Sequence, residues 1–80
     1  MFGDNMKNRI LDLRVDADLR QIDIATVIGI TQRKYSYVET GTQQATDEIL
    51  VRLANFYNTS VDYVLGLTDE RKPYPRQRTE

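Results

Sequence analysis

Cysteine, histidine and tryptophan are all missing from this 80-residue chain. Without cysteine there is no disulfide framework and no thiolate metal site. Without histidine the commonest general base and the commonest metal ligand are gone together. No apolar run approaches the ~20 residues needed to cross a bilayer. The opening stretch MFGDNMKNRI lacks the apolar core of a secretory signal, so a soluble cytoplasmic protein is the default. Proline occurs only twice, both times within residues 69–80, so nothing earlier in the chain breaks a helix by that route. No nucleophile–base pair, glycine-rich phosphate loop or metal-ligand set appears, which argues against an enzyme, a cofactor or a metal site. A chain this short forms one small domain and buries only about 60% of the surface its unfolded form exposes, so its stability margin is thin.

A basic excess is also lacking. Eleven Lys and Arg face twelve Asp and Glu, for a net charge of −1. The distribution says more than the sum. Asp4, Asp12, Asp16, Asp18 and Asp23 make the first part acidic. Between Ile24 and Val38 stand Arg33 and Lys34 with no acid at all, and Arg71, Lys72, Arg76 and Arg78 make a second basic zone. The acidic cluster reads as a solvated face, because a hard cation needs six or more oxygens in a defined loop.

What is there is helical periodicity. Met6, Ile10 and Leu13 space a first helix of about three turns. The polar DADLRQ breaks it, and Ile24, Ala25 and Ile28 carry a second helix over 21–28 that Gly29 ends. Thr31 reads as the N-cap of a third helix from Gln32 to about Glu39, ended by Gly41. Thr46 caps a fourth, whose first turn holds Asp47 and Glu48 and whose apolar stripe is Ile49, Leu50, Leu53, Ala54 and Tyr57. Ser60 caps a short fifth, Val61 to Leu65, ended by Gly66. Tyr35, Tyr57 and Tyr63 stand at core-like spacing with hydroxyls expected at the rim. The stretch DERKPYPRQRTE, residues 69–80, reads as a flexible charged tail after a folded unit over 1–68. Its basic residues could add non-specific attraction to phosphates.

Two short helices joined by GIT fit a helix-turn-helix crossing. The pair must bury Ile24 and Ile28, bring small Ala25 close to its partner, plug the turn with Ile30 and turn Tyr35 and Val38 inward. That leaves Gln32, Arg33, Ser36 and Tyr37 pointing outward.

The segment QIDIATVIGITQRKYSYVETG resembles the helix-turn-helix of the Cro/cI-type, or XRE, family of phage and bacterial repressors. The matching positions are Gln21, Ile24, Ala25, Ile28, Gly29, Ile30, Tyr35, Val38, Glu39 and Gly41, and the later ILVRLANFYNTSVDYVLG is similar to the family's last two helices. The likeness spans about residues 6–68. It departs at Tyr35, where a branched aliphatic is usual and packing is expected to loosen or shift. It departs again at TQQAT after Gly41, where relatives carry basic residues and a proline.

The resemblance implies an all-α, five-helix, lambda-repressor-like DNA-binding domain in a bacterial or phage protein working at the nucleoid. It implies that helix 32–39 enters the major groove, where base edges distinguish all four pairs. Gln32, Arg33 and Tyr37 match base-contacting positions. Gln21, Arg14, Thr31, Lys34, Ser36, Thr40 and Thr42 are phosphate candidates, with Arg14 and Glu39 equally open to a structural ion pair. Relatives dimerise near the fifth helix, here Phe56, Val61, Tyr63 and Leu67, which implies a homodimer on a palindromic operator. A competing reading is a protein-interaction module on the same fold, an antitoxin or anti-repressor adaptor, which the near-neutral charge and acidic first helix favour. Taken alone, Gln32, Arg33 and Lys34 would also suit a solvated helix face.

Overall fold

The computed structural model describes residues 8–73. Five helices follow one another: α1 (Ile10–Asp16), α2 (Gln21–Ile28), α3 (Gln32–Thr40), α4 (Asp47–Phe56) and α5 (Val61–Leu65). Among the described residues there is no strand. The all-α reading and the order of helices agree with the sequence pattern.

Caps account for most of the boundaries. The hydroxyls of Thr31, Thr46 and Ser60 accept the backbone N–H of Lys34, Ile49 and Tyr63 at 3.0, 3.2 and 3.0 Å. Each satisfies one of the donors that the first turn of a helix leaves open. The first helix differs from expectation. It holds seven residues rather than three turns, and the Asn8 side chain accepts the Ile10 N–H at 3.0 Å just ahead of it. The predicted contribution of Met6 lies outside the described residues.

Helix α2 ends at Gly29, in the left-handed region at φ +80°. A side chain there would be strained by that φ, and its Cβ would come within 3.1 Å of Arg52 Nη1. Arg52 has a reason to stand so close: Nη1 donates to the Ile28 carbonyl at 2.7 Å and so finishes the open end of α2.

The core joins Ile10 and Leu13 of α1, Ile24, Ala25 and Ile28 of α2, Tyr35 and Val38 of α3, and Ile49, Leu50, Leu53 and Ala54 of α4, with Tyr57 and Val64 closing it. Helix α2 packs on α3 and α4, and α4 on α5. Tyr35 corrects an expectation. It is fully buried, among the largest such side chains in the domain, so the bulky ring fills the core rather than loosening it. Its hydroxyl is not at a rim, and neither is that of Tyr57.

The two ends of the domain are fastened by Arg9. Its backbone N–H donates to Val64 at 2.7 Å, and Nη1 donates to the carbonyls of Tyr63 and Thr68 at 2.6 and 2.9 Å. The guanidinium lies 4.0 Å from the Tyr63 ring centre and pairs with Asp69 at 2.9 Å. The start of the predicted tail is therefore held. Thr59 donates to the Arg71 carbonyl at 2.6 Å, and Arg71 reaches the Tyr57 carbonyl at 3.4 Å. Residues 74–80, with the rest of that expectation, lie outside the described residues.

Candidate nucleic-acid interface

Helix α3 divides its side chains between two tasks. Its inward face holds Tyr35, Val38 and Glu39. Its outward face carries Gln32 and Arg33, both exposed, followed by half-buried Ser36 and Tyr37 and exposed Thr40. Gln32 and Arg33 stand at the N-terminal end, just past the Thr31 cap and the tight GIT turn. The turn thus leaves that end of α3 uncovered by the other described residues.

Glu39 anchors the back of this helix. Arg14 Nε and Nη2 donate to its two carboxylate oxygens at 2.6 and 3.1 Å. Gln21 Nε2 donates at 2.8 Å and the Tyr35 hydroxyl at 2.7 Å. The Glu39 side chain is 5% exposed and that of Arg14 is 17% exposed. Burial pushes the Glu39 carboxyl upward, but the hydrogen bonds from Arg14, Tyr35 and Gln21 outweigh it and hold the group below its ordinary range. One carboxylate therefore ties α1, α2 and α3 together and fixes how α3 is presented. Burial, with Glu39 beside it, drives the Tyr35 hydroxyl far upward, so it stays a donor.

This arrangement changes the standing of two predicted phosphate contacts. Arg14 points at Glu39 and at the Leu19 carbonyl, 2.8 Å away, so the structural ion pair is the role its geometry serves. Gln21 has one amide N–H on Glu39, while its place at the first turn of α2 leaves backbone N–H groups without helical partners.

The remaining candidates are arranged as follows. Thr31 is exposed with its oxygen used as a cap acceptor. Lys34 and Ser36 are half-buried on the outward half of α3. Thr40 donates to the Ser36 carbonyl at 3.0 Å and lies 3.0 Å from the Thr42 hydroxyl. Arg33 Nε donates to the Tyr37 hydroxyl at 3.3 Å. Arg20, which the sequence did not single out, is exposed beside Gln21 but is held by Asp23, at 3.0 and 2.9 Å. Those bonds, chiefly from the Arg20 side chain, lower the Asp23 carboxyl.

The residues proposed for pairing of two copies differ in exposure. Phe56 and Leu67 are 43% and 56% exposed, and the Phe56 ring meets Tyr57 edge-on at 5.0 Å. Val61 and Tyr63 are half-buried against the core, and Tyr63 is flanked by Arg9 and Arg71. Sequence reasoning missed the Arg9 clasp and the Gln21 and Tyr35 bonds to Glu39. No local spacing announces a contact between residues 54 apart, such as Arg9 and Tyr63.

Among the described residues no helix is long and apolar enough to cross a membrane. Comparison with known proteins gives a consistent result. The helix-turn-helix family model matches residues 10–64. The chain is 38% identical over 65 residues to the HTH-type transcriptional regulator YobD of Bacillus subtilis, covering 81% of this chain and 58% of that protein. It is 39% identical over 54 residues to the cryptic phage CTXphi transcriptional repressor RstR of Vibrio cholerae, covering 68% of this chain and 49% of that one. A second Bacillus subtilis HTH-type regulator, YqaE, is 31% identical over 72 residues, 89% of this chain and 59% of its own length. The chain thus spans about half to three-fifths of the length of these relatives. No solved structure matches. With the GIT turn, the Glu39 anchor and the exposed start of α3 all falling inside the matched region, the chain belongs to the helix-turn-helix family of Cro/cI-type transcriptional regulators.

Proposed function

We propose that this chain binds double-stranded DNA sequence-specifically as a transcriptional regulator, acting as a repressor by occupying its operator. The observation that carries the reading is the uncovered N-terminal end of α3. Gln32 and Arg33 are exposed there, and Arg33 has no carboxylate partner among the described residues. An α-helix fits the major groove, where a guanidinium suits guanine O6 and N7 and a carboxamide suits adenine N6 and N7. Gln32 and Arg33 then meet base edges, with Tyr37 on the same face. Gln21, Thr31, Lys34, Ser36, Thr40 and Thr42 surround them as contacts to the backbone, which position the domain without reading sequence. A single short helix makes few contacts. Two copies joined through the α5 side, by Phe56, Val61, Tyr63 and Leu67, would read half-sites ~34–36 Å apart on a palindrome.

Selection of bound duplexes from a random library tests this directly. A recovered palindromic consensus supports the reading, and its affinity should fall with salt by a log–log slope of about −0.9 per phosphate neutralised. Recovery of no preferred sequence, with binding indifferent to salt, rejects it. One observation favours a protein-interaction module instead: Leu11 and Val15 are 45% and 57% exposed on acidic α1. A 1:1 protein complex that survives high salt, in a chain that selects no DNA, would establish that alternative.

A further inference from the structure

Arg71 aside, which reaches the Tyr57 carbonyl and lies over the Tyr63 ring, the described arginines are held in two ways. Arg9, Arg14, Arg20 and Arg52 each pair with a carboxylate, from Asp69, Glu39, Asp23 and Glu48. Arg33 does not. Its Nε donates instead to the neutral hydroxyl of Tyr37, one helical turn on, at 3.3 Å, the long end of such a bond. Glu39, the carboxylate on α3, is buried and already accepts from Arg14, Gln21 and Tyr35. Tyr37 is itself well seated. Its ring is half-buried, and its carbonyl accepts from Gln43 N–H at 3.0 Å and from Thr40 Oγ1 at 3.4 Å.

We infer that Tyr37 is a positioning residue for Arg33, holding Nε so that the two terminal nitrogens project together toward guanine O6 and N7. This rests on the DNA-binding reading above and assigns Tyr37 a role other than its own base contact. The chemistry favours a phenol for the task. A carboxylate at residue 37 would hold the guanidinium harder, but it would cancel the charge and set a negative group between phosphate walls. The hydroxyl orients the side chain and leaves its charge intact. An unrestrained arginine loses much rotamer freedom on docking, and a brace made in the free protein reduces that loss. With Nε engaged, the sideways pairing of guanine with Nε and one terminal nitrogen is unavailable. The end-on pair remains, which makes Tyr37 a determinant of specificity at one base pair.

The test uses the full chain and the operator recovered by library selection. Affinities are measured for the native protein, Arg33→Ala, Tyr37→Phe and the double variant. Each is tested on the operator, on operators changed one base pair at a time, and on a copy with 7-deazaguanine at the guanine whose recognition Arg33→Ala abolishes. Phenylalanine keeps the ring, so thermal melting should be unchanged. Tyr37→Phe should lower discrimination at that same G·C pair by about two- to tenfold, the range for one hydrogen bond. It should leave other positions and the salt slope alone, add nothing to Arg33→Ala, and blunt the penalty for 7-deazaguanine. A loss at a different base pair, or additivity with Arg33→Ala, shows that Tyr37 reads a base by itself and overturns the inference. So does a Tyr37→Phe protein that discriminates as the native one does. If the native protein selects no sequence, the DNA-binding reading fails first, and the two failures are told apart by that result.

Discussion

Arg14 and Arg33 carry the same guanidinium into opposite settings. Arg14 is largely buried, bonded at two nitrogens to Glu39 and at a third to the Leu19 carbonyl. Arg33 lies in the open and touches a neutral hydroxyl. The first has its charge cancelled inside the fold and works as scaffold. The second keeps its charge and has no carboxylate partner among the described residues. Both sit in register with α3, one gripping its back and the other mounted on its front. The difference teaches how to tell a structural arginine from one held ready for a partner: by the charge of what it touches, not by its type.

The comparison breaks first, and most visibly, at Glu39. Glu39→Ala leaves the Arg14 charge, the Gln21 amide and the Tyr35 hydroxyl without their common acceptor. Removing one partner of a buried pair costs about 3–5 kcal/mol. A small domain has roughly 5–15 kcal/mol in all, so the urea midpoint should drop sharply. Arg33→Ala, by contrast, should move stability by no more than about 0.5 kcal/mol. Equal shifts from the two would erase the distinction between scaffold and probe. A double variant, Arg14→Met with Glu39→Leu, should recover only the part owed to the stranded Arg14 charge, because the buried Tyr35 hydroxyl and the Gln21 amide still lack their acceptor.

On DNA the ranking reverses for Arg33. Arg33→Ala should cost about 1–3 kcal/mol of binding and relax specificity at one base pair. Gln21→Ala should weaken every site alike, since its contact is to the backbone. Competition with single-base-pair variants of the operator separates the two patterns. If both variants lose the same base preference, the division of roles between α2 and α3 is wrong.

How much of this was legible in the sequence follows from the range of each interaction. Caps and stops act over three or four residues. Thr31, Thr46 and Ser60 and the glycines at 29, 41 and 66 therefore marked the helices closely. The outward set on α3 was legible for the same reason, because inward Tyr35 and Val38 leave Gln32, Arg33 and Tyr37 no other side. Glu39 was visible only as one half of a pair with Arg14. That Gln21 and Tyr35 also converge on it depends on three helices meeting, which no local pattern records. Tyr35 misled for a related reason. Judged alone, a tyrosine hydroxyl belongs at a rim, but here a buried carboxylate stands one turn away to receive it. Residues 69–80 read as a flexible tail, and the contacts that hold its first residues, Arg9 with Asp69 and Thr59 with the Arg71 carbonyl, span too many positions to carry a sequence signature.

Acid sharpens the contrast next. The Glu39 carboxyl sits below its ordinary value of 4.5 in the folded state. As pH falls past that value, the unfolded chain takes up a proton that the folded one still refuses. Stability is therefore full above the ordinary value and is lost as pH falls through the folded one. Urea midpoints between neutral pH and pH ~3 should decline for the native chain. Asp23 is lowered too, but its pair with Arg20 is exposed, so it adds little. Glu39→Gln should start less stable and show a flatter acid limb. An equally steep decline in that variant would mean that other carboxylates, not this one, govern the acid transition.

The smallest effect is expected at Tyr57, the buried counterpart of Tyr35. Both rings lie in the core, but the Tyr57 hydroxyl is buried without a hydrogen-bond partner among the described residues, whereas that of Tyr35 donates to Glu39. Removing a donor to a charged group costs about 1.5–3 kcal/mol, so Tyr35→Phe should destabilise by that order. Removing an unpartnered hydroxyl relieves a desolvation cost, so Tyr57→Phe should be neutral or stabilising by up to about 1 kcal/mol at neutral pH. Alkali gives a second readout. Burial pushes the Tyr57 hydroxyl from its ordinary 10.0 up to about 12. Its contribution is fully present below the ordinary value and is lost as pH rises toward the folded one, because the unfolded chain ionises first. Tyr57→Phe should therefore keep more of its stability than the native protein between pH 10 and 12. Were Tyr57→Phe to destabilise as much as Tyr35→Phe, the hydroxyl of Tyr57 would have a partner in solution, and the two buried tyrosines would be equivalent after all.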